Sequence, residues 1–139
     1  MNLQCIGRLV GAWSLGLLLA GCSTVVKDQR AIGLVAATSA YQSAMRWGYF
    51  DTAYGYVHPD LRKDKEIPPT FKDLRVTNYE VVQPALVTDA TQKEAAQVVA
   101  IDYLHEDRQV VKTITDRQVW RYDPKLASWW LASGLPEFP

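Results

Sequence analysis

An aspartate within an apolar strand is the first candidate for acid–base chemistry in this chain of 139 residues. Asp102 interrupts the segment VVAIDYL, and a carboxyl group among apolar neighbours can have a raised pKa that suits a general base. The alternation of the segment places Val99, Ile101 and Tyr103 on one face, so Asp102 belongs to the opposite face. We therefore expect Asp102 to face solvent, and a catalytic role for its carboxylate is the alternative.

The two histidines offer imidazole groups for proton transfer or metal binding. His58 lies beside Pro59 at the end of a predicted helix, and His105 lies at a predicted hairpin turn beside Glu106. Neither has a second histidine or an acid at the spacing of a metal site. We expect both to be exposed turn residues, and we predict neither a metal nor a cofactor. The chain also lacks the GxSxG and HExxH motifs and a phosphate-binding Gly-rich loop.

Aromatic residues are more numerous candidates for a binding site, because the chain contains five tryptophans and seven tyrosines. Such side chains either line a pocket for a flat or lipidic ligand or fill the core of a small domain, and we favour the core. Successive strand residues point to opposite faces, so one of Trp129 and Trp130 is expected in the core. The other, exposed, is a candidate hot spot for a partner. The aromatic residues considered for binding are Tyr41, Trp47, Tyr54, Tyr103, Trp120, Trp129 and Trp130.

A thiol supplies the most specific chemical signal, because Cys22 stands at the end of an apolar run. Arg8 precedes that run, which covers residues 9–20 and is shorter than the roughly 20 residues needed to span a bilayer. A positive charge, a short apolar stretch and small residues are the layout of a cleaved secretory signal. The sequence therefore predicts export.

The tetrapeptide Leu19-Ala20-Gly21-Cys22 resembles the lipobox of bacterial lipoproteins. The resemblance implies that residues 1–21 are a signal peptide, that a diacylglyceryl group alkylates the Cys22 sulfur, and that Cys22 becomes the N-terminus with a third acyl chain. Two or more acyl chains hold a protein stably on a membrane. Ser23 replaces the Asp that marks inner-membrane retention in enteric-type bacteria, which implies the periplasmic side of the outer membrane. An incidental or buried cysteine is the alternative.

Composition indicates one globular domain that does not bind nucleic acid. Hydrophobic residues make up 48% of the chain and charged residues 22%, and 15 basic residues balance 15 acidic ones without clustering. With Cys5 removed and Cys22 lipidated, no thiol remains for a disulfide, a metal site or a nucleophile. A tether over residues 22–27 and a single domain over residues 28–139 are predicted after the signal.

Helical periodicity predicts a first helix over residues 28–47, with Asp28 as its cap and Gly48 as its stop. A second, short helix is predicted over residues 49–62, where Pro59 ends or kinks it. The apolar face of the first helix is expected to consist of Leu34, Ala37, Tyr41, Ala44 and Met45.

From Phe71 onward the pattern changes to that of strands. Strands are predicted within residues 73–89, 93–106, 108–123 and 127–133, and hairpin-length turns between them favour antiparallel neighbours. Pro84 indicates a bulge or an edge position in the first strand, and the ending GLPEFP is expected to be a tail. Helices followed by such a meander predict an α+β domain, with one or two helices packed on a curved antiparallel sheet of about four strands.

Element order and the segment YDPKLASWWL resemble the nuclear-transport-factor-2-like and cystatin-like superfamily over residues 28–133. The resemblance implies a pocket between the helix and the concave sheet. The preferred function is a lipid-anchored, non-enzymatic domain that binds an envelope protein or component. One alternative is a small-molecule or lipid binder that uses the helix–sheet cavity. Another is an isomerase or dehydratase with Asp102, His58 or Tyr41 as acid or base.

Overall fold

The computed structural model describes residues 21–62 and 66–139, with side chains from residue 25 onward. The predicted signal peptide, residues 1–21, therefore lies outside the described residues apart from the backbone of Gly21. None of the helices in the described part is long and apolar enough to cross a membrane. One long helix packs on a four-stranded antiparallel sheet, which confirms the predicted α+β class.

Helix α1 spans Gly21–Trp47 and begins seven residues before the predicted start. The residues predicted as a tether, 22–27, are therefore helical, and they contain neither Pro nor Gly to interrupt a helix. The end of α1 is as predicted. Gly48 adopts a φ of 76°, and the Tyr49 N–H donates to the Ala44 carbonyl at 2.9 Å, as in a Schellman cap.

The predicted second helix is present as two pieces. Helix α2 spans Phe50–Tyr54, and a 3-10 turn spans Pro59–Leu61. The break follows from Pro59, because the residue before a proline is disfavoured in helical geometry. A second 3-10 turn covers Pro69–Phe71 just before the sheet.

The sheet has the spatial order β1-β2-β3-β4, and all neighbours are antiparallel. Its strands lie inside the predicted segments. The start of β3 differs most, because the turn after β2 is longer than expected and leaves Val110 and Val111 exposed in the connection. The strands are β1 Leu74–Val87, β2 Glu94–His105, β3 Lys112–Asp123 and β4 Ser128–Leu131.

The two edges of the sheet are finished differently. At the β4 edge, Leu131 accepts from the His58 N–H at 3.0 Å and donates to the Tyr56 carbonyl at 2.7 Å. At the β1 edge, the pairing with β2 shifts register three times, and one shift surrounds Pro84. The predicted edge or bulge position of Pro84 is therefore confirmed.

The core lies between α1 and the inner face of the sheet. Tyr41 and Met45 of α1 are fully buried against a sheet face that includes Val99, Ile101 and Trp120. The predicted apolar face of α1 is confirmed, with Ala37 only partly buried. Alternation in β2 also holds, because Val99, Ile101 and Tyr103 all point inward.

The C-terminal segment is part of this core, so the predicted tail is wrong. Phe138 is 3% exposed, and its ring centroid lies 4.9 Å from that of Tyr103 and 5.3 Å from that of Phe71. The Tyr103 hydroxyl donates to the Pro139 carbonyl at 2.7 Å. Two prolines in the segment suggested a tail, but its two apolar residues, Leu135 and Phe138, pack on the core.

Candidate functional site

The three residues predicted as acid–base candidates do not meet. Asp102 lies half-buried on the outer face of β2 and accepts from the Thr113 hydroxyl at 2.6 Å and from the Asn78 amide at 3.4 Å. Tyr41 belongs to α1 and is buried between that helix and the inner face of the sheet. His58 lies beyond the β4 edge. The expected outward direction of Asp102 is thus confirmed, although cross-strand partners cover half of its surface.

Both histidines are half-buried, which corrects the expectation that they are exposed. His58 Nδ1 accepts from the Asp60 N–H at 3.2 Å and so caps the 3-10 turn. His105 is the last residue of β2, and its ring centroid lies 5.7 Å from that of Tyr103. Within residues 21–62 and 66–139, no group of three His, Cys, Asp or Glu is placed to hold a metal ion.

The aromatic candidates divide between core and surface. Trp120, Tyr103 and Trp129 are buried, whereas Tyr54 is half-buried. Trp129 and Trp130 do point to opposite faces of β4, as predicted. Trp130 is nevertheless half-buried, which corrects its expected exposure.

Neighbours from the segment that follows α2 cover Trp130. The His58 ring centroid lies 6.3 Å from that of Trp130, and the Arg62 guanidinium carbon lies 5.8 Å from the indole. Among the described residues, the most exposed aromatic side chains are instead Trp47 and Tyr49, at 70% and 66%. They flank Gly48, where α1 ends.

A polar cluster occupies the inner face of the sheet, where an apolar core is the rule. Gln118 of β3 is at its centre and is almost fully buried. Its amide group donates to the Tyr79 hydroxyl at 2.8 Å and to Asp116 Oδ2 at 2.9 Å, and its oxygen accepts from the Trp120 indole at 3.3 Å. We define the polar cluster as Tyr41, Tyr79, Gln97, Asp116 and Gln118.

Two atoms of the polar cluster lack partners in the described part of the chain. They are the hydroxyl oxygen of Tyr41 and Oε1 of Gln97, both inaccessible to solvent. A buried polar group without a partner costs about 1–3 kcal/mol, so such groups call for a water or a ligand atom. The polar cluster is therefore the part of the core least explained by stability alone.

Burial controls the protonation of the polar cluster. Burial raises the pKa of the Asp116 carboxyl, and the hydrogen bond from Gln118 partly opposes that rise. Burial also raises the pKa of Tyr41 well above its ordinary value, and the Asp116 charge and Tyr79 add to the effect. The pKa of Tyr79 is likewise raised by burial. Asp116 can therefore exchange its proton at a pH closer to neutral than an exposed carboxylate does. The phenol groups of Tyr41 and Tyr79 stay uncharged.

Sequence reasoning placed Tyr41 in the helix–sheet interior but missed the other members. A signal was present, since Asp116 and Gln118 lie between the apolar Ile114 and Trp120 at alternate positions of one strand and so share their face. Polar residues between two inward-facing apolar ones on a strand predict a buried polar site.

A groove with a volume of about 480 Å³ lies beside the core, between α1 and the β3–β4 hairpin. Trp129 forms part of its wall and donates from its indole to the Arg30 carbonyl at 2.9 Å. The indole packs beside Gly33, where an added Cβ would lie 3.5 Å from the ring, at ordinary contact distance. The groove is lined by Val26, Gln29, Gly33, Ala36, Ala37 and Ala40 of α1, and by Tyr56, Tyr122, Ala127, Ser128 and Trp129.

The groove is mostly apolar, and its volume falls within the range of small-molecule sites, roughly 300–1,000 Å³. Several lining residues, among them Val26, Ala36 and Ala127, are exposed, so the groove is open to solvent. Comparisons of the chain with protein-family models, with curated proteins and with solved structures find no match. The superfamily resemblance therefore stays a prediction.

Proposed function

We propose that the protein is a lipoprotein, held by acyl chains on Cys22 at the periplasmic side of the outer membrane, whose domain binds an envelope partner. The observation that carries the proposal is the tetrapeptide Leu19-Ala20-Gly21-Cys22 at the end of a short apolar run that follows Arg8. Cys22 lies in α1, which packs on the sheet, so acyl chains on this residue would hold the domain close to the membrane.

The binding part of the proposal is supported by exposed aromatic side chains at the far end of α1. Trp47 and Tyr49 are the residue types most enriched in interface hot spots, and the Arg46 guanidinium lies 5.4 Å from the Trp47 ring. An anchor confines the domain to a membrane surface, which raises its effective concentration near partners there. A weak contact through this aromatic pair is then sufficient for association.

Replacement of each cysteine tests the anchor. Cys22→Ser is expected to give an uncleaved, unacylated precursor, because only a thiol at this position is alkylated. Cys5→Ser is the matched control, since Cys5 lies within the segment to be removed, and it is expected to be processed like the wild type. Intact mass decides the outcome. Wild-type protein without an acyl addition at Cys22 would refute the lipid anchor.

Photo-crosslinking in intact cells tests the partner. A photoreactive amino acid at position 47 is expected to capture one discrete envelope product. The same group at position 130, where the native side chain is half-buried, is the comparison. Capture from position 130 alone would move the interface to the outer face of the sheet. Background products from both positions would count against a binding domain that uses either tryptophan.

A second candidate function is the binding of a small molecule or lipid, which the groove favours. Trp129 in the groove wall is a natural reporter. A brominated long-chain fatty acid is expected to quench its fluorescence, and Trp129→Phe is expected to remove most of that quenching. Equal quenching in both proteins would contradict binding in the groove.

A further inference from the structure

We propose that one acyl chain of lipidated Cys22 turns back along α1 and occupies the groove between α1 and the β3–β4 hairpin. This inference rests on the lipid anchor proposed above and assigns that anchor an intramolecular site. The groove begins at Val26, one helical turn after Cys22, and continues along α1 to Ala40.

Helical geometry sets position 22 in line with the groove. At about 100° per residue, the six groove-lining positions of α1 fall within an arc of about 100°, and position 22 falls inside the same arc. Four residues separate it from Val26, a rise of about 6 Å along the axis. An acyl chain that starts at position 22 therefore reaches the groove without crossing another part of the domain.

The groove has the dimensions of an acyl chain. Its wall on α1 extends from Val26 to Ala40, a rise of about 21 Å along the helix axis. One leaflet of a bilayer is about 15 Å of hydrocarbon thick, so a chain of membrane length fits. The volume of about 480 Å³ is that of a ligand site rather than of a packing defect.

The chemistry of the lining suits a hydrocarbon. Small side chains of α1, with Gly33 at the centre, let a flexible chain lie close to the helix backbone. Tyr56, Tyr122 and Trp129 supply broad apolar ring surfaces on the other wall. Burial of methylene groups against such walls is favourable in the same way as burial in a membrane.

One occupied groove leaves two acyl chains for the bilayer, and two chains are sufficient for stable anchoring. The arrangement would also orient the domain, because the first turn of α1 and the β3–β4 turn would both lie at the membrane surface. Leu126 in that turn is exposed and apolar, which is compatible with contact with lipid.

Site-specific photo-crosslinking tests the proposal with the full-length, lipidated protein in vesicles of phosphatidylethanolamine and phosphatidylglycerol. The photoreactive residue p-benzoylphenylalanine replaces Ala36 in the groove or, as a matched control, Ala31 on the opposite side of the helix. Both alanines are exposed, so neither replacement disturbs the core. Circular dichroism verifies that both variants are folded.

Trypsin releases residues 22–27 and 31–46 as separate peptides, so an acyl crosslink within the molecule joins the two. We expect the two peptides to be joined when the photoreactive residue is at position 36, and to remain separate when it is at position 31. Equal yields from both positions, no joined pair, or capture of vesicle phospholipid instead of the chain's own lipid would overturn the proposal. Intact mass is measured first, so failure of acylation itself, which would refute the anchor, is distinguished from an empty groove.

Discussion

The same substitution at two buried tyrosines is expected to have opposite effects on stability. Tyr79→Phe removes the oxygen that accepts from the Gln118 amide at 2.8 Å and leaves one buried N–H of Gln118 without a partner. The penalty for such a group is about 1–3 kcal/mol. Tyr41→Phe removes a hydroxyl that has no partner among the described residues, so we expect no loss and a gain of up to about 1 kcal/mol.

Urea unfolding followed by tryptophan fluorescence measures both variants, on the chain from Ser23 onward. With a denaturant dependence of about 1–3 kcal/mol per molar, a loss of about 2 kcal/mol lowers the midpoint by about 1 M. The midpoint of Tyr41→Phe should equal or exceed that of the parent. Equal destabilisation by the two substitutions would refute the reasoning. It would mean that the Tyr41 hydroxyl makes a hydrogen bond that stabilises the fold as much as the bond between Tyr79 and Gln118.

Three further effects follow from the core and the helix end. Burial raises the folded-state pKa of Asp116, so this carboxyl group favours folding at low pH, and that contribution is lost as pH rises through the raised pKa. Asp116→Asn should therefore reduce the pH dependence of the free energy of unfolding measured from pH 4 to 8. An unchanged pH dependence would contradict this assignment. Trp129→Phe should cost about 1–2 kcal/mol in the urea assay, because the hydrogen bond from the indole to the Arg30 carbonyl is lost. Gly48→Ala should lower stability by about 1 kcal/mol through its positive φ alone, since nothing lies within 4 Å of an added Cβ, and an unchanged melting temperature would oppose this.

Much of the fold was predictable because it follows from local periodicity. Alternation identified the buried face of β2, and turn residues located the hairpins. Gly48 marked the end of α1, where a left-handed residue is needed. The helical residues before Asp28 were not predicted, since helix propensity alone is weak and Asp28 has the side chain of a favoured cap.

The candidate site was predictable only in part, because its members are brought together by pairing between strands. Tyr41 could be assigned to the interior from its helical spacing. The contact between Gln118 and Tyr79 joins residues 39 positions apart, and no local pattern encodes it. Trp129 and Trp130 were correctly predicted to lie on opposite faces, but coverage of Trp130 by His58 and Arg62 depends on a parallel bridge between Val57 and Leu131.

The unlike edges of the sheet have a consequence for a protein crowded on a surface. Copies that lie side by side can polymerise through open strand edges. The β1 edge favours such association because it carries four exposed apolar residues, Val81, Val82, Leu86 and Val87. Pro84 removes a backbone donor there, and the register shifts distort the hydrogen-bonding row that an incoming strand would need. At the other edge, Leu131 of β4 already forms backbone hydrogen bonds with Tyr56 and His58. Neither edge therefore presents the regular, unpaired strand that edge-to-edge association between copies requires.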